Sequence, residues 1–403
     1  MFLEKIIRRN PSLIASAVRL HQEGKLPPNS YVLDLDTIRE NARIIADEAQ
    51  NLGLKVYAMS KQIGRNPAFF KALAQGGIDA YVAVDMNGAR VIHKAGYRIG
   101  HLGHLVQVPR AAAPEAAAMN PAYWTVFSTE KAQQAAAASL KAGHTQNLLA
   151  RIQTAGDIFY MGHEGGFPAE RIVEVADTID ALPGAAFAGI TTFPALLYDS
   201  ETRQISPTPN LKTLENAATA LRKAGRDSIE INAPGTTSAK VMAALASAGA
   251  TQVEPGHGLT GTTPLHAVTD LPETPAVVYL SEVSHSYQGH PYCFGGGLYI
   301  DPVFPPYPVR ALVGRDAKTV MHTRVDATLP PPSAIDYYAI LNPEEGQKIS
   351  AGDSVIFGFR IQAFVTRAFV VPVSGISQNA PVVEGVWMSS GQKADWGTGA
   401  FRM

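Results

Sequence analysis

The apolar positions between about residue 30 and residue 260 follow a repeating pattern. Eight short apolar runs recur along this part: KVYAM (55–59), YVAV (81–84), HLGHL (101–105), WTVF (124–127), LLARI (148–152), FAGITT (187–192), SIEIN (228–232) and TQVE (251–254). Ala-rich segments with helical apolar spacing follow most of them, at 68–76, 86–96, 129–143, 168–181, 210–225 and 238–248. Strands that alternate with helices require a parallel sheet with right-handed crossovers.

Eight such units predict a closed (β/α)8 TIM barrel, an α/β fold. A doubly wound open sheet is the alternative, because the count of eight depends on accepting HLGHL and TQVE as strands. Before the first of these runs, the segment 37–53 predicts a further helix that begins near Thr37 and ends at Gly53.

After about residue 265 the pattern changes. Ala-rich helical segments disappear, and AVVYLSEVS (276–284), SVIFGFRIQAFVTRAFVVPVSG (354–375) and APVVEGVWM (380–388) predict strands that Pro-rich connectors separate. We therefore predict an N-terminal helical extension over 1–27, a barrel domain over 28–265 and a mostly β C-terminal domain over 266–403.

The composition argues against several classes of function. With 403 residues, 17% of them charged, and a net charge of -1, the chain lacks the basic surface that nucleic acid or an anionic membrane would need. No run approaches the roughly 20 apolar residues of a membrane span, and charges and Pro11 interrupt the N-terminal segment, unlike a signal peptide. The single cysteine, Cys293, permits no intrachain disulfide. We expect a soluble, cytoplasmic protein.

A barrel of this type forms its active site from the loops that follow its strands. The residues at those positions are Lys61, Asp85, His104, Ser128, Gln153, Thr192, Asn232 and Glu254. Phosphate commonly binds after strands seven and eight. Here NAPGTTS (232–238) and EPGHGLTG (254–261) offer backbone N–H groups and hydroxyls at a helix start. An ordinary Gly-rich turn is the alternative interpretation of the second loop.

Lys61 ends an apolar strand, where an unpaired ammonium is costly unless its pKa falls or it reacts. A desolvated lysine is a good Schiff-base nucleophile toward a carbonyl, whereas a lysine that reaches the surface at a strand end is the ordinary alternative. Glu254 stands where a carboxylate can pair with a ring nitrogen. A reactive lysine, a phosphate-binding loop pair and an acid for a pyridine nitrogen together indicate a site for pyridoxal 5'-phosphate (PLP).

The chain resembles fold type III PLP enzymes, the alanine racemase-like barrel group, and within it the YhfX-type branch. AMSKQIGRNP, GITTFPAL, NAPGTTSAKVM, VEPGHGLTG and YCFGGG carry the resemblance, in that order and over nearly the whole chain. It implies that Lys61 holds the cofactor and acts as one catalytic base, on an amino acid or related amine, in a homodimer with shared active sites. The expected further cofactor contacts, mainly to the phosphate, are Arg65, Asn232, Gly235, Thr236, Thr237, Gly256 and His257.

Two positions depart from the family pattern. Glu254 stands where alanine racemases have an arginine against the pyridine nitrogen, whereas the decarboxylase branch has glutamate there. Thr192 and Phe193 occupy the place of a ring-stacking histidine. Either Phe193 packs on the cofactor ring or His104 substitutes from strand three; a buried, hydrogen-bonded histidine is the other interpretation of His104.

Racemisation needs a second acid/base, which in alanine racemases is a tyrosine of the β domain. Strict alignment places Phe294 at that position, and the nearby groups able to carry a proton are Tyr292, Cys293 and His285. Cys293 as a core residue is the alternative.

Arg360 and Gln362 alternate on one face of a predicted strand and are the candidates for binding the substrate's anionic end, unless they are simply exposed on the sheet. We expect no metal site. The family's zinc-binding members use a His/Cys pair near the C-terminus, where this chain has no cysteine, and His285, His290 and Cys293 are only loosely spaced.

These features predict a PLP-dependent racemase or epimerase. A PLP-dependent lyase or decarboxylase is the alternative, because a carboxylate at position 254 keeps the pyridine protonated. A non-catalytic PLP-binding protein is a second alternative, against which the C-terminal domain argues. A metal-dependent barrel hydrolase would need acids and histidines on several strand ends, where Gln153, Thr192 and Asn232 mainly stand.

Overall fold

The computed structural model describes residues 1–331 and 333–396. Its strands are β1 (Ser30–Asp34), β2 (Lys55–Val56), β3 (Ala58–Met59), β4 (Ala80–Ala83), β5 (Arg98–Leu102), β6 (Tyr123–Val126), β7 (Gln146–Gln153), β8 (Phe167–Pro168), β9 (Ala185–Thr191), β10 (Leu196–Asp199), β11 (Gln204–Pro207), β12 (Glu230–Asn232), β13 (Gln252–Val253), β14 (Val277–Tyr287), β15 (His290–Phe294), β16 (Val309–Gly314), β17 (Arg324–Thr328), β18 (Tyr338–Asn342), β19 (Ser354–Phe357), β20 (Phe369–Ser374), β21 (Val382–Val383) and β22 (Trp387–Met388). Its α-helices are α1 (Leu3–Arg9), α2 (Pro11–Gln22), α3 (Leu35–Asn51), α4 (Pro67–Gln75), α5 (Met86–Lys94), α6 (Ala113–Ala118), α7 (Thr129–Lys141), α8 (Ile172–Asp180), α9 (Pro209–Lys223), α10 (Ala239–Ser247) and α11 (Pro264–Val268).

The chain divides into two compact units, and neither is continuous in sequence. Residues 1–41, 61–75 and the described residues from Leu259 onward form the first unit, and residues 42–60 and 76–258 form the second. The predicted domain boundaries at residues 28 and 265 stay predictions. In the described part of the chain, β1 pairs with β14 and β20 of the C-terminal part.

The second unit is a parallel, nearly closed barrel, as predicted. Its strands follow the order β2, β13, β12, β9, β7, β6, β5, β4, β3. The run KVYAM forms both β2 and β3. Since these two strands stand at the two ends of the strand order, this run connects the first and last positions of the ring. All eight predicted runs contain or overlap a strand, including the two on which the barrel depended. The doubly wound alternative is therefore wrong.

The predicted helices between the barrel strands are present, with ends that differ by a few residues. Two of the residues predicted at strand ends, Asp85 and Ser128, cap the N-termini of these helices. The side chain of Asp85 accepts a hydrogen bond from Gly88 N at the start of α5, and that of Ser128 accepts one from Lys131 N at the start of α7. Both are N-caps. No helix in the described part of the chain combines the length and the apolar character that crossing a membrane requires.

The first unit is dominated by antiparallel strands. Six of them, β14, β15, β18, β17, β16 and β19, pair in a closed ring. The N-terminal helices α1 and α2 contribute Ile6 and Leu13 to a core that also contains Leu280 and Ile356. The predicted long strand over 354–375 is two strands, β19 and β20, and the residues between them are irregular except for a 3-10 helix, Ala363–Val365.

Gly189 marks the closest approach of two barrel strands. A Cβ at this position would lie 2.0 Å from the backbone oxygen of Glu230 in the neighbouring strand β12. We therefore expect Gly189→Ala to lower the free energy of unfolding by about 3 kcal/mol or more, because the two backbones must separate. Urea denaturation measures this change.

Gly143→Ala is the matched control. A Cβ there meets nothing within 4 Å, although φ is +85°, so we expect a cost of only about 1 kcal/mol from the left-handed backbone. Equal destabilisation by the two substitutions would contradict the interpretation of Gly189.

Candidate functional site

Glu254 is the centre of a buried polar network in the second unit. It directly follows β13, and its side chain is fully buried. Its Oε1 contacts Nδ1 of His101 and accepts a hydrogen bond from Nδ2 of Asn232 at 2.9 Å. Its Oε2 lies 3.5 Å from Nδ1 of His104 and accepts no hydrogen bond from the described residues. One carboxylate oxygen is thus held by the barrel, while the other retains acceptor capacity.

A further layer of hydroxyls fixes the two residues that hold Oε1. Thr125 Oγ1 lies 2.5 Å from Nε2 of His101, and Thr191 Oγ1 donates to Oδ1 of Asn232 at 2.8 Å. These residues come from β5, β6, β9 and β12, which are consecutive around the barrel except for β7 between β6 and β9. Since adjacent parallel strands place paired residues on the same face, the network lies inside the barrel.

The network keeps Glu254 ionised. Burial raises the pKa of a carboxyl group, but here the neighbouring His104 and His101, together with the hydrogen bonds from His101 and Asn232, lower the pKa of Glu254 to about 2. At neutral pH the interior of the barrel therefore contains a carboxylate, which favours a cationic partner.

The two residues predicted as alternatives for stacking on a ring lie against each other. The His104 and Phe193 rings are 5.4 Å apart and perpendicular, and Phe193 also packs on Tyr160 and His163. Thr192 is buried, and its hydroxyl accepts from Asn210 Nδ2 at 3.4 Å. Phe193, which follows β9, thus belongs to an aromatic cluster. The Thr192 hydroxyl is not part of this cluster and is hydrogen-bonded to Asn210 of α9.

The two predicted phosphate loops pack backbone against backbone. A Cβ at Gly258 would lie 2.5 Å from the oxygen of Thr237, and one at Gly235 would lie 2.9 Å from the oxygen of Leu196. Thr236 adopts a left-handed φ of +43°. Ser238, which precedes α10, has a buried hydroxyl with no hydrogen-bond partner among the described residues. The loops therefore present bare backbone and an unused hydroxyl at a helix N-terminus, as phosphate requires.

The remaining residues of these loops have mixed environments. Asn232 is committed to Glu254, and Thr237 donates to the oxygen of Gly235 at 3.4 Å. His257 is buried, and Gly256 is half-buried. Their predicted contacts with a phosphate stay predictions.

Lys61 lies in the first unit, directly after Ser60, and begins the 3-10 helix Lys61–Ile63. Its ammonium lies 5.4 Å from the centroid of the Phe364 ring. Arg65, the predicted phosphate ligand four residues later, has a left-handed φ of +56°. Both side chains are half-buried.

Arg360 and Gln362 share one carboxylate. Both side chains donate to Oδ2 of Asp301, Gln362 at 2.6 Å, while Asp301 Oδ1 accepts from Val303 N. The two residues follow β19 and are not on a strand, so the predicted alternation on a sheet face is wrong. Asp301 compensates the charge of Arg360, and the proposed role in substrate binding stays a prediction.

The three candidates for a second acid/base have different environments on neighbouring strands of the first unit. His285 and Tyr292 pair across β14 and β15, with their rings stacked 5.0 Å apart. Cys293 is fully buried, and this burial raises the pKa of its thiol to about 12. That environment favours the interpretation of Cys293 as a core residue. Tyr292 and His285 keep their proposed role.

Two residues of the site were missed in the sequence. His101 shares the run HLGHL with His104 but lies within the strand and not at its end. His101, His104 and Glu254 form a group whose ligand-type atoms lie within 4.8 Å of one another, close enough for a metal ion. Arg151 is the second omission: it is 1% exposed within the apolar run LLARI. A charge inside an apolar strand was the available signal.

Both parts of the chain match models of known protein families. Residues 33–264 match the family model for the alanine racemase N-terminal domain, and residues 278–383 match that for the YhfX-like C-terminal domain. The protein YhfX of Escherichia coli (strain K12) is 39% identical over 397 residues, which are 97% of this chain and 99% of that protein.

Solved structures with the same fold include different enzymes. D-threonine aldolase from Filomicrobium marinum is 18% identical, with a TM-score of 0.67 over 92% of this chain and 96% of that one. Alanine racemase of Clostridium difficile 630, in complex with cycloserine, is 15% identical, with a TM-score of 0.63 over 90% and 99%. D-threo-3-hydroxyaspartate dehydratase from Delftia sp. HT23 is 16% identical, with a TM-score of 0.63 over 90% and 97%. At these identities the similarity establishes the fold.

Proposed function

Because this chain belongs to the alanine racemase-like family of fold type III, with a YhfX-like C-terminal domain, we propose that it is a PLP-dependent enzyme that acts at the α-carbon of an amino acid or related amine. Racemisation or epimerisation is the reaction that we assign first. The observation that carries the proposal is Glu254, an ionised carboxylate at the end of a barrel strand with one oxygen fixed by His101 and Asn232.

The residues present fit PLP. The second oxygen of Glu254 retains acceptor capacity, as the pyridine nitrogen needs. Phe193 and His104 offer aromatic surface for the ring. The Ser238 hydroxyl and the close-packed loops at Gly235 and Gly258 suit the phosphate. Lys61 supplies the amine that binds the cofactor's aldehyde.

When bound, PLP with a protonated ring nitrogen withdraws electron density from the α-carbon and so facilitates loss of a group there. Glu254 would hold a proton at that nitrogen, because a carboxylate that stays ionised is a better partner for a cationic ring than for a neutral one. His101 and Asn232 orient the carboxylate and prevent its rotation. Lys61 moves the proton at the α-carbon.

Racemisation requires a second group to return the proton from the other face. We propose Tyr292 or His285 for this role, since Cys293 is buried with a raised pKa. A lyase is the second candidate, and Glu254 favours it, because a strong electron sink also supports elimination, aldol cleavage or decarboxylation.

The test is an amino-acid and amine screen of the PLP-loaded protein in deuterated water. Proton NMR measures exchange at the α-carbon, chiral chromatography measures the ratio of enantiomers, and assays for carbonyl products, ammonia and carbon dioxide detect the lyase reactions. We expect α-deuteration together with inversion for one substrate class. Bond cleavage without inversion would assign the lyase instead, and absence of all these changes across the screen would contradict an enzymatic role.

A metal-dependent reaction is favoured by one observation, the group His101, His104 and Glu254. It makes an opposite prediction. An enzyme that depends on a metal in this group would contain stoichiometric metal as purified, lose its activity to a chelator and keep it without PLP, whereas a PLP enzyme without a metal would keep its activity after chelation and lose it without PLP.

A further inference from the structure

Arg151 lies at the same level of the barrel as the network around Glu254. It pairs with Thr191 across strands β7 and β9. The Thr191 hydroxyl donates to Asn232, whose amide donates to Glu254. Three neighbouring strands thus carry Arg151, Thr191 and Asn232 side by side at their carboxyl ends, where a barrel of this type binds its ligands.

Among the described residues, no anion compensates the charge of Arg151. No carboxylate of residues 1–331 or 333–396 forms an ion pair with it, and its Nη2 donates to two neutral acceptors, the oxygens of His163 (2.6 Å) and Phe193 (3.4 Å). Its Nε is buried without a hydrogen-bond partner. Burial lowers the pKa of this guanidinium to about 10, so it stays charged at neutral pH. An uncompensated buried charge is costly, and proteins keep one where a ligand supplies the opposite charge.

The surroundings of the guanidinium suit a desolvated anion. Its Cζ lies 4.8 Å from the Phe127 ring centroid and 5.6 Å from that of Phe159. The segment 154–166 contacts it, because the backbone oxygen of His163 in this segment accepts from Nη2. This segment is held at Ile158 by two hydrogen bonds with Asn210, while Met161 is 96% exposed. Apolar walls strengthen the attraction between a guanidinium and an oxyanion.

Arg360 offers a contrast. Its guanidinium already binds Asp301, so an incoming anion would have to compete with a resident carboxylate. At Arg151 an anion would displace only a neutral carbonyl. The uncompensated positive charge therefore favours Arg151 as the anion-binding group.

We propose that Arg151 binds the acid group of the substrate, a carboxylate or a similar oxyanion, at the mouth of the barrel. The identification of the ligand as a substrate rests on the proposed function, whereas the affinity of Arg151 for an oxyanion does not. Because guanidinium and carboxylate match in a fork geometry, this contact also orients the substrate.

The experiment measures acetate binding to the full-length protein by thermal unfolding and calorimetry, at constant ionic strength, with acetamide as the neutral isostere. We expect acetate, and not acetamide, to raise the unfolding temperature of the parent protein. Arg151→Gln should weaken acetate binding at least about tenfold, because a charge-assisted pair is lost. Arg151→Lys should retain part of the affinity for acetate. If Arg151→Gln does not fold, the acetate affinity of Arg151→Lys is compared with that of the parent protein.

Arg226→Gln is the matched control. Arg226 also lies over a phenylalanine ring, that of Phe187, but it is paired with Asp177 and Asp180. We expect it to leave acetate binding unchanged. Equal acetate binding by the parent protein and Arg151→Gln, or equal effects of acetate and acetamide, would overturn the proposal.

Titration with PLP separates this proposal from the proposed function. Arg151→Gln should bind PLP with an affinity within about threefold of the parent, since the predicted phosphate loops follow other strands. A tenfold or greater loss of PLP affinity would identify the anion as the cofactor's phosphate and overturn the substrate assignment. Acetate binding that depends on Arg151 in a protein that binds no PLP would preserve the anion site and refute the proposed function.

Discussion

Replacement of Lys61 by alanine will abolish turnover and covalent retention of PLP while the fold stays intact. Lys61 is the amine that we assign to the cofactor's aldehyde and to the proton at the α-carbon, and its removal takes away both roles at once. We expect kcat with the substrate found in the screen to fall at least about a thousandfold. The structural cost should be small, because the Lys61 side chain is only half-buried and alanine is compatible with the short 3-10 helix that it begins.

Lys71→Ala provides the control for this variant. Lys71 lies on α4 in the same unit and is exposed, so its loss removes a lysine without touching the proposed site. Circular dichroism and thermal unfolding establish that both variants fold. Undiminished turnover by Lys61→Ala would refute the assignment of this lysine.

Replacement of Glu254 by glutamine is the second variant with a large expected effect. Glutamine preserves the size of the side chain but removes the negative charge that holds a proton at the pyridine nitrogen. We expect turnover to fall on the order of a hundredfold, while PLP affinity falls much less, since the phosphate loops and Lys61 are unchanged. Stopped-flow measurement of turnover and a PLP titration separate the two effects.

Glu230→Gln is the control for the loss of a carboxylate from the barrel. Glu230 begins β12 and is bound by Lys55, Thr251 and Tyr123, at the opposite end of the strand from Asn232. We expect this variant to lose stability but to keep its turnover within a few fold. Normal turnover by Glu254→Gln would show that Glu254 is not the ring partner. Loss of a stoichiometric metal on the same substitution would favour the metal-dependent alternative.

The barrel could be predicted from the sequence because each of its parts has a local signal. Short β-branched runs alternate with Ala-rich helical segments, and even the weak runs HLGHL and TQVE overlap strands of the ring. Such a pattern does not show which strands pair. The run that forms β1 is a short buried strand like those of the barrel, but all of its pairing is with β14 and β20.

The antiparallel part was harder to predict because its strands depend on distant partners. The strands β15 to β18 have five or six residues each, and three of them, β15, β17 and β18, alternate buried with less buried residues among Pro-rich and Gly-rich connectors. In the structure these segments are extended as members of the closed ring of six strands. The segment FGFRIQAF has the composition of a strand, yet Asp301 binds Arg360 and Gln362 from about sixty residues away and stabilises an irregular chain.

The candidate site likewise contains residues that could be predicted from the sequence and residues that could not. A barrel forms its active site from the loops that follow its strands. This rule selects Lys61, Glu254 and the two glycine loops, which come at the ends of predicted strands. His101 and Arg151 lie within the strands, where position alone indicates a core residue, and their significance depends on which polar groups they meet. Cys293 illustrates the opposite case, because a reactive residue type in a suggestive stretch is enclosed in a β-sheet core.

The assignment of Lys61 as the cofactor lysine is tested by the visible absorption spectrum of the purified protein with added PLP, before and after borohydride, followed by peptide mass mapping. We expect a yellow band that borohydride bleaches and a reduced pyridoxyl group on Lys61. Absence of the band, with no modification of Lys61, would contradict the assignment of this chain as a PLP enzyme.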